Sequence, residues 1–224
     1  MFTAPSTHVS PPPRVVPSTP AVPPALITLA RLSGLAAAAV LVVNTVKRAG
    51  ILPLVPATQL VAPLAEVLAL LFVTGLFLRA GHRSGGWGVA AYAANVTALG
   101  LLVGVEFVIN LVFGGRTVAE IGVLRSGSLG IALIATSVVF LVATIAFAAT
   151  MAAERSVPRW SLVAYAVGGA LVASRAFVPE WALQVGLLVL ASGIVGPSVW
   201  LLRAGRSRAL TTRFVPTGAP TGAA

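Results

Sequence analysis

The chain has 224 residues, 58% of them hydrophobic and only 9% charged, with a net charge of +10. Soluble domains carry about 25% charged residues, so this chain has too few to build a water-facing shell. Having no cysteine, it has no disulfides, thiolate metal sites, iron–sulfur clusters or thiol catalysis. Its basic residues are dispersed singly and in pairs between apolar blocks. That pattern excludes a nucleic-acid surface and points to charges that flank and orient membrane helices.

Residues 1–25 are rich in Pro, Ser and Thr and lack an apolar period, so a disordered tail is expected there. It does not have the form of a secretory signal, because the first apolar block comes late and is a full span long. Six blocks of roughly the length that crosses a ~30 Å hydrocarbon core then follow, at 26–46, 61–79, 87–113, 129–150, 160–178 and 182–202. The third is long enough to tilt or project. Between the first two, Ile51–Leu60 is too short to cross and contains Pro53 and Pro56, so it is expected at the interface or over the bundle. The fifth block contains Arg175 and joins the sixth through Val-Pro-Glu-Trp, which forces an antiparallel hairpin. The sixth carries Gly193, Gly196 and Pro197, where a kink is expected. Trp87, Trp160, Trp181 and Trp200 fall near span ends, as interfacial anchors do. Residues 204–224 are basic, then small and polar, and are expected to be disordered.

The expected fold is therefore all-α, a polytopic bundle of six spans over 26–203. Alternate loops carry ten basic residues on one side, among them Arg31, Arg79, Arg155 and Arg203. The other side carries five, Lys47, Arg48, Arg116, Arg125 and Arg175. The positive-inside bias then puts both termini in the cytoplasm of a bacterial inner membrane. The three hairpins differ in length and polarity, giving no sign of an inverted repeat.

No catalytic, metal or cofactor motif is legible. The two histidines, His8 and His82, lie outside the spans, there is no Asp, and no phosphate-binding glycine loop occurs. Lys47, the only lysine, sits at a helix end.

What remains is polarity inside the spans. Glu66 and Glu106 are carboxylates in predicted hydrocarbon, where an ionised group costs several kcal/mol unless it is paired, protonated or wet. Glu66 is expected ~6 Å and Glu106 ~9 Å outward of the midplane, a depth at which they can meet. Asn95, Glu106 and Asn110 fall within ~60° on one helix face, a stripe that must turn inward. Gly100 and Gly104 lie on roughly the opposite face, suited to a close helix contact. The third span is therefore expected at the centre of the bundle. Asn44, Arg175 and Gln184 lie near the same depth, with Arg175 the natural counter-ion.

Ala30–Gly34 (Ala-Arg-Leu-Ser-Gly) and Gly196–Arg203 (Gly-Pro-x-x-Trp-Leu-Leu-Arg) resemble features of uncharacterised six-span membrane proteins of high-GC bacteria. The resemblance covers about residues 26–203 and implies no activity, cofactor or site residue. The leading expectation is a structural or assembly subunit, associating with lipids and with its own copies or another membrane subunit. The alternatives are a proton- or cation-linked carrier using Glu66 and Glu106, or a lipid-modifying enzyme of unfamiliar mechanism.

Overall fold

The computed structural model describes residues 22–213 other than 54, 82 and 83, and for 204–213 the backbone alone. His8, His82, Arg83 and most of the expected N-terminal tail lie outside the described residues, as does the chain after 213. Among the described residues all regular structure is helical. The elements are α1 (Pro24–Arg48), α2 (Pro56–Val61), α3 (Leu64–Leu76), α4 (Gly85–Phe107), α5 (Val118–Arg125), α6 (Ser128–Ala153), α7 (Arg159–Ala173) and α8 (Glu180–Arg213). π-helical turns extend α3 over Phe77–Gly81 and α4 over Val108–Val112.

Among the described residues, five stretches are long and apolar enough to cross a membrane: Pro24–Arg48, Pro56–Gly81, Gly85–Val112, Ser128–Ala153 and Glu180–Arg203. The second takes in α2, α3 and the π turn, so the end of the segment expected to lie at the interface instead begins a spanning helix. The fifth expected span overruns its helix. α7 has 15 residues and stops at Ala173, about 22 Å long, so Arg175 stands in the turn that follows. α8 runs on to Arg213, past the boundary expected at 203. Six of the ten residues of its continuation, 204–213, are Arg, Ala or Leu, good helix formers, and no proline occurs until Pro216.

The six long helices form a closed ring in the order α1, α3, α4, α6, α7, α8 and back to α1. Each is antiparallel to its neighbours. Near one end Gly34 of α1 faces Ser198 of α8. At the other end Arg48 of α1 pairs with Glu180 of α8 at 2.9 Å. Along the α7–α8 hairpin, Gly186, Gly193 and Gly196 face Leu171, Tyr165 and Ser161 in turn. A Cβ on Gly193 would come within 2.4 Å of the Tyr165 backbone nitrogen, so only glycine permits this approach. Pro197 is fully buried in the same helix.

The α4 placement corrects an expectation. This helix is one member of the ring and not its centre. Gly100 and Gly104 are exposed, with nothing within 4 Å of a Cβ built on either. The close glycine-mediated contact is made by α7 and α8 instead, because their faces are small on both sides.

The core is uneven along the axis. Towards the end where α1 begins, fully buried Phe72, Leu76, Phe147, Met151 and Leu201 fill the ring. Phe77 stacks on Tyr92 at 4.4 Å there, and the Arg79 guanidinium lies 5.9 Å from the Trp200 ring centre. Trp87, Trp160 and Trp181 are exposed near helix ends. The opposite end of the ring is polar inside.

Candidate functional site

The polar end is built from helix termini. Asn44, Lys47 and Arg48 occupy the last turns of α1. Glu66 lies in the first turn of α3, where a negative charge meets the positive end of the helix dipole. Asn110 stands in the π turn that extends α4, a widened turn that often re-aims side chains at sites. Arg175 follows the last turn of α7, where a cation is favoured by the same dipole.

A chain of bonds links three ring members. The Arg175 Nη1 donates to Glu106 Oε1 at 2.7 Å. Asn110 Nδ2 donates to Glu106 Oε2 at 3.0 Å and to the Glu106 carbonyl at 2.9 Å. Lys47 Nζ donates to Asn110 Oδ1 at 2.8 Å and to the Thr58 carbonyl at 3.3 Å. The adjacent Arg48 reaches the other way round the ring, to Glu180. Lys47 was not among the residues the sequence singled out for the site. The signal available was its register, the last turn of the helix that also carries Asn44.

On the ring axis lies a cavity of about 50 Å³, walled by all six long helices and Arg175. Glu66, Glu106, Asn44, Arg175 and Tyr165 line it together with apolar side chains such as Leu102, Phe140 and Leu187. That is room for a few waters, at about 10–15 Å³ each. The two glutamates thus share one cavity, but in different states. Glu106 is bonded through both oxygens, whereas Glu66 Oε2 is buried with no partner. Asn44 Oδ1 and Arg175 Nη2 are also buried and unpartnered. No other buried side-chain polar atom among the described residues is left so.

A wider space of about 800 Å³ adjoins this cavity, sharing Asn44, Arg48 and Glu106 with it and adding Lys47, Gln59 and Asn110. It opens at the polar end of the ring, between the last turn of α1 and the end of α4. Glu106 therefore borders both spaces.

Comparison with protein-family models, with curated proteins and with solved structures finds no match for this chain. The chemistry must be read from the residues themselves.

Asn95 stands apart from Glu106 and Asn110. It lies eleven residues before Glu106 on α4, about 16 Å along the axis. Fully buried, it donates to the Tyr165 hydroxyl at 3.2 Å and accepts from Thr144 Oγ1 at 3.4 Å. Because Tyr165 also borders the axial cavity, the polar groups continue inward from Glu66 to the middle of α4. Gln184 is not part of the cavity wall. Among the described residues no three His, Cys, Asp or Glu side chains converge as a metal site would require.

Proposed function

We propose that this is a six-span protein of a bacterial inner membrane, with both termini cytoplasmic, and that it works as a small proton-linked carrier. α7 serves as the short fifth span, completed by the turn after Ala173, and the basic-residue bias turns the polar end of the ring outward. The observation that carries the reading is the set of three buried, unpartnered polar atoms, on Glu66, Asn44 and Arg175, around one axial cavity. A buried polar atom without a partner costs about 1–3 kcal/mol, so these three call for an occupant of the cavity, and water there would give a proton a path to Glu66.

The chemistry favours a proton over a metal ion. A bare cation between Glu66 and Asn44 would face the Arg175 guanidinium at its own site. A proton needs only one carboxylate. Glu66 takes it from the outer space past the Glu106–Arg175 pair, and Tyr165, Asn95 and Thr144 continue the polar route towards the centre.

The test is proton uptake into proteoliposomes under a potassium-set potential, read by an internal pH dye. Glu66→Gln is expected to remove the flux while the purified protein keeps its helix content. Glu66→Leu is expected to lose flux and gain about 1–3 kcal/mol of stability. Flux from Glu66→Gln equal to wild type, or wild-type flux no greater than in empty vesicles, sinks the reading.

A second reading rests on the exposed Gly100 and Gly104 face, which α4 offers with nothing packed on it. It favours an assembly role, in which this face meets a second copy or another membrane subunit.

A further inference from the structure

The shortness of α7 has a consequence on the outer wall of the ring. α6 has 26 residues and α7 has 15, about 39 Å against 22 Å. α7 packs beside the second half of α6, with Gly169 against Thr144 and Phe147 against Tyr165. The first turns of α6 consequently stand with no α7 beside them. The gap is a groove of about 600 Å³, open sideways, bounded by the end of α4, the first half of α6 and the turn between α7 and α8. Ile109, Leu133, Ile134, Val138 and Leu141 make its walls apolar, and Ile134 and Val138 are each 54% exposed.

The mouth of this groove is basic. Arg48, Arg125 and Arg175 border it, against the single acid Glu180. Arg48 is bonded to Glu180 and Arg175 to Glu106. Arg125 has no acidic partner among the described residues, and it is held at the mouth by the tight step from α5 into α6, where Gly130 lies against the Arg125 carbonyl. The groove is within the usual 300–1,000 Å³ of small-molecule sites. It combines an apolar trough, with Ile134 and Val138 half exposed, and one uncompensated cation beside it.

We propose that this groove binds one anionic phospholipid, with an acyl chain along the first half of α6 and the phosphate at Arg125. Arg48 and Arg175 in the same wall are neutralised by Glu180 and Glu106, which leaves Arg125 as the cation that meets a negative headgroup. The inference requires only that the ring is embedded in a bilayer and does not rest on proton transfer at Glu66. Glu66→Gln is accordingly expected to keep the lipid, which separates failure of this proposal from failure of the carrier reading.

The experiment is native mass spectrometry of the purified full chain in a neutral detergent, titrated with phosphatidylglycerol or with phosphatidylcholine of the same chains. One phosphatidylglycerol per chain is expected to survive detergent removal, with phosphatidylcholine retained less. Arg125→Gln is expected to weaken retention about fivefold, the scale of one basic side chain at a membrane surface, and Arg125→Lys to restore it. Ile134→Trp, at an exposed position, is expected to fill the trough and displace the lipid. Equal retention of the two lipids overturns the proposal, as does wild-type retention in both Arg125→Gln and Ile134→Trp. A change in oligomeric mass with Ile134→Trp, and none in bound lipid, would assign the groove to a second copy of the chain and also overturn it.

Discussion

The Arg175 guanidinium and the Glu106 carboxylate meet at 2.7 Å across 69 residues of chain, with side chains only 14% and 12% exposed. The contact ties the turn after α7 to the end of α4, two elements that are not neighbours in the ring. Breaking a buried pair from one side leaves the other charge uncompensated, which typically costs about 3–5 kcal/mol. Glu106→Ala is therefore expected to destabilise strongly, and Glu106→Ala with Arg175→Met to cost less than the sum of the two changes. Unfolding in mixed detergent micelles of the wild type, both single variants and the double variant measures the coupling. Additive effects would show that the pair contributes nothing.

Tyr165 and Asn95 form the inner polar step. Tyr165→Phe leaves the Asn95 amide without its hydroxyl acceptor in a fully buried place and is expected to cost about 1–3 kcal/mol. If the same variant also slows proton uptake, Tyr165 belongs to the route. An unchanged rate with reduced stability confines it to packing.

Two glycines are expected to behave oppositely. Gly193→Ala places a methyl 2.4 Å from the Tyr165 backbone nitrogen and is expected to cost about 1–3 kcal/mol by overpacking the α7–α8 hairpin. Gly100→Ala meets open space and is expected to be neutral or to stabilise α4 by about 0.5–1 kcal/mol. Size-exclusion chromatography of Gly100→Ile then asks about assembly. A fall in oligomeric mass with an intact fold would support the second reading of the α4 face.

The α5 cap should respond to pH. Thr117 accepts from the Glu120 amide at 3.3 Å, and Glu120 Oε2 accepts from the Thr117 amide and hydroxyl at 2.8 Å each. The hydrogen bonds from the Thr117 amide and hydroxyl hold the Glu120 carboxyl below its usual value of 4.5. A lowered carboxyl contributes order that is present above its unfolded value and is lost as pH falls through the folded one. Hydrogen exchange in α5 is therefore expected to be pH-stabilised at neutrality and to lose protection below about pH 4.5 beyond the intrinsic trend. Thr117→Ala keeps the backbone amide that donates to Glu120 and is expected only to reduce that difference, whereas Glu120→Gln is expected to abolish it.

Composition and block length identify membrane helices because each span satisfies its own backbone bonds and meets hydrocarbon with its own side chains. That reading needs no knowledge of neighbours, and it located the apolar helices α1, α3, α4 and α6, and the start of α8, to within a few residues. It failed at ends set by local chemistry. α7 stops before Arg175, α3 is preceded by the helical turn of α2, and α8 carries on through good helix formers.

The tertiary structure decided everything that depends on which face meets which. Helical spacing puts Asn95, Glu106 and Asn110 on one side of α4, but it ignores the 16 Å of rise that leaves Asn95 with Tyr165 and Thr144. The glycine pair at 100 and 104 and the glycines of α8 look alike as letters, yet only the latter meet a partner, because ring order puts α7 beside them. Lys47 reads as a lone charge at a helix end until the end of α4 brings Asn110 within reach. The amino-acid sequence by itself determines that polar groups enter the membrane, since hydrophobicity is a property of each residue. Which of them pair, and which three are left facing an axial cavity, depends on contacts between distant segments, and these exist only once the ring has closed.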